Sequence, residues 1–441
     1  MAAAQRRGRQ GSRESVDLLI VNAGELVTLA GENQKPRIGK QMRELGIVRD
    51  GCLAVKDGRI VAVGKTPEVT KLFRAENIVS ANGKTVLPGF VDSHTHLVFA
   101  GSREDEFQMR VEGASYLEIL GAGGGILKTV RETRKASTDK LVDIGIKTLD
   151  AMLEHGTTTV EAKSGYGLTT KDELKILEAT RRVNQLHTVD VISTFLGAHA
   201  VPPEYKGNTQ GYVSLLVDEM LPKVAASVLA EFCDVFCERG VFSLEQSRRI
   251  LIAAKGHGLR GKVHADEMSM QGGAELAADV GAVSAEHLLF SSLEGIKAMG
   301  DRDVVAVLLP AAAFSLMMGR FADARLMIDS GVPVALGTDY NPNCLAENMQ
   351  LVVAFACHFM RLTPAEALTA ATINGAWALG KASDVGSLEV GKKADIVVLD
   401  VPNHKFLGYH FGVNLVDKVV KNGRIVVDKE ASPSEIVHLE K

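Results

Sequence analysis

Residues 89–107 read GFVDSHTHLVFAGSREDEF. The stretch opens as an apolar strand and closes it on His94-Thr95-His96. Residues i and i+2 share a face of a strand, so both imidazoles point the same way. A lone interior histidine is more often a satisfied core residue. Two at this spacing, at the end of an apolar strand, are placed to chelate one metal ion.

Seven more strand-length runs follow the one that ends here, VLPGFVDSHTH. They are TTTVEAKSGYG, DVISTFLGAHA, EFCDVFCERG, GLRGKVHADE, AVSAEHLLF, VVAVLLPAAAF and PVALGTDYNP. Amphipathic stretches such as TDKLVDIGIKTLDAMLEHG and TKDELKILEATRRVNQL lie between them. Eight β-then-α units predict an α/β fold, a (β/α)8 TIM barrel. Both ends of the chain read differently. DLLIVNAGELVTL, GCLAVKDGRIVAVG and NIVSANGKTVLPG near the start, and GSLEVGKKADIVVLD and VVKNGRIVV near the end, are β-like runs broken by turns. Asp57-Gly58, Asn82-Gly83 and Asn422-Gly423 are hairpin signals. The pattern predicts a small composite β-sandwich domain formed by both termini. The expected division is a disordered tail over 1–14, the composite domain over 15–86 and 385–441, and the barrel over 87–384.

The 441 residues are 46% hydrophobic and 24% charged, as in an ordinary globular protein. Net charge is −4 with no long basic stripe, which argues against nucleic acid as a partner. No apolar run approaches the roughly 20 residues of a membrane span. The five cysteines, Cys52, Cys233, Cys237, Cys344 and Cys357, are odd in number and lack CxxC spacing. That usage fits a reducing cytoplasm rather than a disulfide framework. Residues 1–15 carry Arg6, Arg7, Arg9 and Arg13 but no apolar segment of a secretory signal.

Barrels of this kind place their chemistry where strands end. After His94 and His96, the second run ends near Lys163, Ser164 and Tyr166, and the third at His199. The fourth offers Asp234, Cys237 and Glu238. The fifth gives His264 and then Glu267, the sixth His287, and the eighth Asp339; the seventh is apolar up to Pro310. Any one of these is as readily a capping residue. His94, His96, His264 and Asp339 together suit Zn2+ or another divalent first-row metal. Such an ion lowers the pKa of water to about 7. Glu267 is placed to shuttle protons, as a non-ligand glutamate does in zinc deaminases. His287 is placed to polarise the attacked oxygen.

These residues resemble the amidohydrolase superfamily, over essentially all of 16–427. HTHLVFAGSREDEF, GASYLEIL with GAGGGI, EAKSGYGL, FLGAHAVPPEY, VHADE, AEHLL and GTDYNPN are, in that order, similar to the imidazolonepropionases within it. That family hydrolyses the ring amide of 4-imidazolone-5-propanoate to N-formimidoyl-L-glutamate, the third step of histidine degradation. The resemblance implies one Zn2+ or Fe3+ per chain on His94, His96, His264 and Asp339. It implies catalytic roles for Glu267, His287 and Asp339. It implies substrate contacts from Arg103, Tyr166, His199, Glu267, Asn341, Asn343 and Cys344, with Tyr116 beside them. A cytoplasmic homodimer is the expected assembly, with a small-molecule substrate and neither nucleic acid nor membrane as partner. The chain departs from the family pattern where Asn343-Cys344 follow Pro342, since many members have Gly-Thr or Gly-Ser there. Tyr340 stands where Phe is common.

Two-metal amidohydrolases usually bring a bridging lysine from the fourth strand. EFCDVFCERG has none, and Lys163 belongs to the second, so one metal is expected and Lys163 reads as an internal ion-pair partner or a substrate contact. Arg103 has the guanidinium fork that binds a carboxylate; the bland alternative is a surface pair with Glu104 or Asp105. GAGGG, residues 121–125, does not complete GxGxxG and reads as a flexible loop over the site. Cys233 and Cys237, four apart, read as core packing. A cytosine- or guanine-type deaminase would share the metal and catalytic residues but need no carboxylate clamp. A scaffold barrel without catalysis would typically have lost metal ligands.

Overall fold

The computed structural model describes residues 13–31, 34–114, 118–119 and 123–430. Eight parallel strands form one sheet in sequential order. They are β1 (Phe90–Asp92), β2 (Thr157–Lys163), β3 (Asp190–Ala198), β4 (Phe232–Cys237), β5 (Arg260–Ala265), β6 (Ser284–His287), β7 (Val305–Leu308) and β8 (Val334–Leu336). Each falls inside one of the eight apolar runs. The sheet closes on itself just past β1 and β8. Asp339 N–H donates to His94 O at 3.0 Å and His96 N–H to Tyr340 O at 2.8 Å. Gly337 makes the closure possible, because a Cβ there would lie 3.0 Å from His94 N and Cβ.

The helices between strands start where the sequence caps them. Thr170–Leu186 begins after Thr169, whose hydroxyl accepts from Asp172 N–H, and its first turn carries Asp172 and Glu173. Leu244–Gly256 begins at a Ser243/Gln246 capping box. Their apolar faces pack onto the strands in one continuous buried cluster.

Two further sheets use both ends of the chain. Glu14–Ala23 sits between Gly51–Lys56 and Phe73–Ser80, with Arg59–Lys65 at the edge. The second sheet runs Arg424–Asp428, Val416–Lys421, Ile396–Leu399, Thr85–Pro88, Glu25–Val27, Ile47–Val48, so C-terminal and N-terminal strands adjoin. Leu18, Ile20, Leu53 and Val55 of the first share a core with Leu26, Val86, Ile396 and Val420 of the second.

Asp57-Gly58 and Asn422-Gly423 are hairpin turns as read, joining antiparallel neighbours. Asn82-Gly83 is not. Its residues have the positive φ of such a turn, 48° and 81°. The strands it joins belong to different sheets: Phe73–Ser80 pairs with Glu14–Ala23, and Thr85–Pro88 with Ile396–Leu399 and Glu25–Val27. Local turn chemistry sets the reversal, but which strand becomes the neighbour is decided by distant pairing. No helix among the described residues is long and apolar enough to cross a membrane.

Candidate active site

Below the barrel mouth lies a buried charged floor. Glu161 and Lys163 share the inward face of β2, and Lys262 and His264 that of β5, at the same i, i+2 spacing as His94 and His96. Lys163 Nζ meets Asp234 Oδ2 at 2.8 Å, Glu161 Oε2 at 2.9 Å and Glu286 Oε2 at 2.8 Å. Lys262 Nζ bridges Glu161 Oε1 at 2.9 Å and Glu286 Oε1 at 3.0 Å. All five residues are buried. Against the opposing effect of burial, Lys163 and Lys262 hold Glu286 below the usual carboxylate range, and His264 followed by Lys163 does the same for Asp234. The internal ion-pair reading of Lys163 thus holds. Glu161, Lys262 and Glu286 escaped the sequence reading, although the alternations E-A-K and K-V-H carry the signal for Glu161 and Lys262.

The histidines stand on this floor. Glu286 Oε2 approaches His94 Nδ1 to 2.5 Å, and Asp234 Oδ2 approaches His264 Nδ1 to 2.8 Å. Each carboxylate thus faces one ring nitrogen of its histidine. His94 Nε2, His96 Nδ1, His264 Nε2 and Asp339 Oδ1 are buried without a hydrogen-bond partner among the described residues. Donor atoms of His94, His96 and His264 lie within 4.8 Å of one another, as do those of His94, His287 and Asp339. Buried polar atoms left unpaired cost about 1–3 kcal/mol each, and converging imidazoles with a carboxylate are the donor set of a zinc or iron ion. The residues present therefore fit the implied metal. Burial opposes protonation of His94, but Glu286 outweighs it and raises the pKa to about 9. His96, buried among His199, His94 and His264, is held well below its ordinary value.

Above the floor is a cavity of about 390 Å3. It is lined by His96, Arg103, Tyr166, His199, His264, Glu267, His287, Asp339, Asn341, Asn343 and Cys344, all named from the sequence. His94 lies beneath it, and Tyr116 lies outside the described residues. A wider cleft of about 1580 Å3 runs along Lys393, Lys421 and Asp150. None of the candidate site residues lines it; the sequence-named residues there are the hairpin turns Asp57-Gly58 and Asn422-Gly423, so the smaller cavity is the one that bears chemistry.

The loops after β2 and β5 are gripped by carboxylates. Glu173 accepts the N–H groups of Gly165, Gly167 and Leu168 at 3.0, 2.8 and 2.7 Å and so seats Tyr166. Glu238 accepts Met268 N–H at 2.9 Å and Ser269 N–H at 3.3 Å, beside Glu267. Asp266 accepts from the N–H groups of Gln271, Gly272, Gly273 and Ala274, capping the helix Gly273–Val280. Asp266, His287 and Asp339 all have positive φ, 50°, 71° and 49°. Such backbone is uncommon for non-glycine residues and clusters where side chains must be aimed. It is how His287, next in sequence to the inward Glu286, also faces the site.

Electrostatics separate the groups. Burial, with Asp339 and Glu238 nearby, pushes Glu267 up to about 8. Burial drives His287 and His199 down to about 3, so both rings are neutral at neutral pH. Asp339 resists burial through its contact with His94 and sits at about 2. His199 Nδ1 lies 3.2 Å from Gly165 O. A carbonyl only accepts, so Nδ1 carries the proton and Nε2 is an acceptor. His287 Nδ1 is 3.7 Å from Glu267 Oε1. Burial holds the Tyr166 hydroxyl protonated.

Arg103 is buried and pairs with Glu106, not with Glu104 or Asp105. Its Nε and Nη2 both donate to Glu106 Oε2, at 2.8 and 2.6 Å. One helical turn brings i+3 around to the N-terminal residue, which i+1 and i+2 cannot reach. Glu106 also accepts Gly125 N–H at 3.1 Å, tying the end of the glycine-rich stretch to the same group; Gly121 and Ala122 lie outside the described residues. Cys344 lines the cavity with its thiol toward Thr338 O. Cys233 and Cys237 are core residues, and all five cysteines are free thiols.

Comparison with known proteins agrees with this geometry. The model of the Amidohydrolase family matches residues 252–426. The imidazolonepropionase of Alkaliphilus metalliredigens is 52% identical over 94% of this chain and 99% of its own. Those of Geobacillus sp. WCH70 and Symbiobacterium thermophilum are 54% and 53% identical, covering 93% and 94% of this chain and 98% of each relative. Among solved structures, a zinc-bound adenosine deaminase of Xanthomonas campestris matches with TM-score 0.69 at 21% identity, over 95% of this chain and 94% of that one. E. coli guanine deaminase matches with TM-score 0.71 at 15% identity, over 93% and 99%. Those two share the fold.

Proposed function

The chain belongs to the imidazolonepropionase family, and from that premise we propose which of its residues carry the reaction. The chemistry is hydrolysis of the ring carbon–nitrogen bond of 4-imidazolone-5-propanoate, giving N-formimidoyl-L-glutamate in histidine degradation. One observation carries the division of labour: a single cavity faces Asp339, Glu267 and His287, whose environments set them to different protonation states.

We assign one metal ion, Zn2+ or Fe3+, to His94, His96, His264 and Asp339. When bound it supplies Lewis acidity and water acidified into the neutral range. Asp339, ionised at neutral pH, accepts a proton from the attacking water. His287, neutral, donates its N–H to the carbonyl oxygen as charge builds there. Glu267, protonated below about 8, gives its proton to the leaving ring nitrogen as the C–N bond breaks. His199 Nε2 accepts a ring N–H, and the Tyr166 hydroxyl donates. Arg103 holds the propanoate, with Asn341, Asn343 and Cys344 lining the same cavity. The carboxylate clamp, not the metal floor, separates this substrate from the nucleobases.

Glu267→Gln keeps shape and metal but removes the proton donor. Its kcat is expected to fall by at least about a hundredfold with metal content unchanged. Turnover near that of the wild type would remove Glu267 from the mechanism.

We further propose a cytoplasmic enzyme, in keeping with five free thiols, and a homodimer. Exposed apolar side chains such as Phe359, Tyr409, Phe411 and Val413 are available for burial against a second copy, and sedimentation velocity would detect the dimer. The proposed domains are 15–86 with 385–441, and 87–384.

A further inference from the structure

The mouth contains a second guanidinium that neither the sequence reading nor the proposed mechanism uses. Arg110 lies in the helix Glu104–Val111, seven residues beyond Arg103. Seven residues are about two turns, so both side chains lie along one side of that segment, and both line the cavity.

Their partners differ. Arg103 gives both Nε and Nη2 to one Glu106 oxygen. Its charge is balanced within the protein, and the edge of the guanidinium best shaped for a carboxylate is already taken. Among the described residues, no carboxylate lies within ion-pair distance of Arg110. Its Nη1 reaches the amide oxygen of Asn343, at 3.4 Å, and its Nε is buried without a hydrogen-bond partner among them. Burial and the neighbouring Arg103 both disfavour its charge, and Glu106 offsets them only in part. Within the cluster of Arg103, Glu106 and Arg110, two guanidiniums share one carboxylate, which leaves one positive charge in excess there. An anion carrying one negative charge would balance it, and would relieve the repulsion between the arginines.

We propose that Arg110 is a second contact for the substrate's propanoate, which lies between Arg103 and Arg110 rather than on Arg103 alone. The inference rests on hydrolysis of 4-imidazolone-5-propanoate by this chain. In it, the Arg103–Glu106 pair shapes the pocket, and Arg110 supplies the uncompensated charge that selects an acid.

The metal-loaded enzyme and its Arg110→Gln and Arg110→Lys variants would be assayed on 4-imidazolone-5-propanoate and on its side-chain amide, which lacks the charge. Arg110→Gln is expected to raise KM for the acid about tenfold or more, with kcat within about twofold and the amide unaffected. Arg110→Lys should recover most of the loss. An unchanged KM, or equal damage to acid and amide, would overturn the proposal. Arg103→Gln gives a second reading that does not require an Arg110 variant to fold. With Arg110 in place it should still prefer acid to amide, and loss of all preference would also overturn the proposal. A wild-type enzyme that leaves both compounds intact would instead sink the functional reading on which this rests.

Discussion

The floor of the site and its mouth are built by different means. On the floor, the functional groups sit on barrel strands or within a few residues of their ends, and charges answer charges through side chains. Lys163 and Lys262 hold Glu161, Asp234 and Glu286, and those carboxylates face His94 and His264. At the mouth, side chains sit on loops, and carboxylates grip backbone N–H groups instead: Glu173 under Tyr166, Glu238 and Asp266 around Glu267. The floor cannot move without unpairing buried charge. The mouth can adjust loop by loop. Metal affinity and stability should therefore depend on the floor, and turnover and substrate choice on the mouth.

The sharpest break of that contrast is Glu286→Gln. It strips one partner from His94, Lys163 and Lys262 at once. Removing one member of a buried charge network costs about 3–5 kcal/mol, and losing a carboxylate behind a metal-bound histidine weakens metal binding by about 10–100-fold. Denaturant unfolding and metal competition would measure both. Unchanged values would show that the floor is not the rigid part.

Glu238→Ala tests the mouth. It frees Met268 and Ser269 beside Glu267 without touching a metal ligand. The expected result is a fall in kcat of about tenfold, on the scale of a misplaced catalytic group, with metal content unchanged and stability within about 2 kcal/mol. A loss of metal instead would merge the two regions.

The smallest effect is in pH. Glu267 is raised, so its acid form is present below about 8 and is lost as pH rises. Activity requiring that form falls on the alkaline side. A cation on the four ligands favours the carboxylate and moves the limb below 8. A profile flat up to pH 9 would remove the proton-donor role.

The same contrast explains what the sequence disclosed. The strand ends were legible because strand alternation places His94 with His96 on one face without help from the rest of the chain. The eight runs gave the barrel for the same reason. Lys262 and Glu286 were passed over because one polar residue within a buried run reads as incidental until its neighbours across the sheet are known. The Asn82-Gly83 turn was legible, but its strand partners were not, since they come from distant parts of the chain. Arg103 was placed at the mouth correctly. Its pairing with Glu106, and the unpaired charge on Arg110, depend on a helix whose position the sequence pattern does not fix.

The most direct test of the central claim is the ultraviolet loss of freshly prepared 4-imidazolone-5-propanoate with the purified protein. Cytosine and guanine would serve as controls, and metal content would be measured on the same sample. Rapid loss with one ion per chain, silence on both nucleobases, and absence of activity in His264→Ala is the expected result. A metal-loaded protein that ignores the imidazolone and deaminates a nucleobase would keep the floor as described and contradict the reading of the mouth.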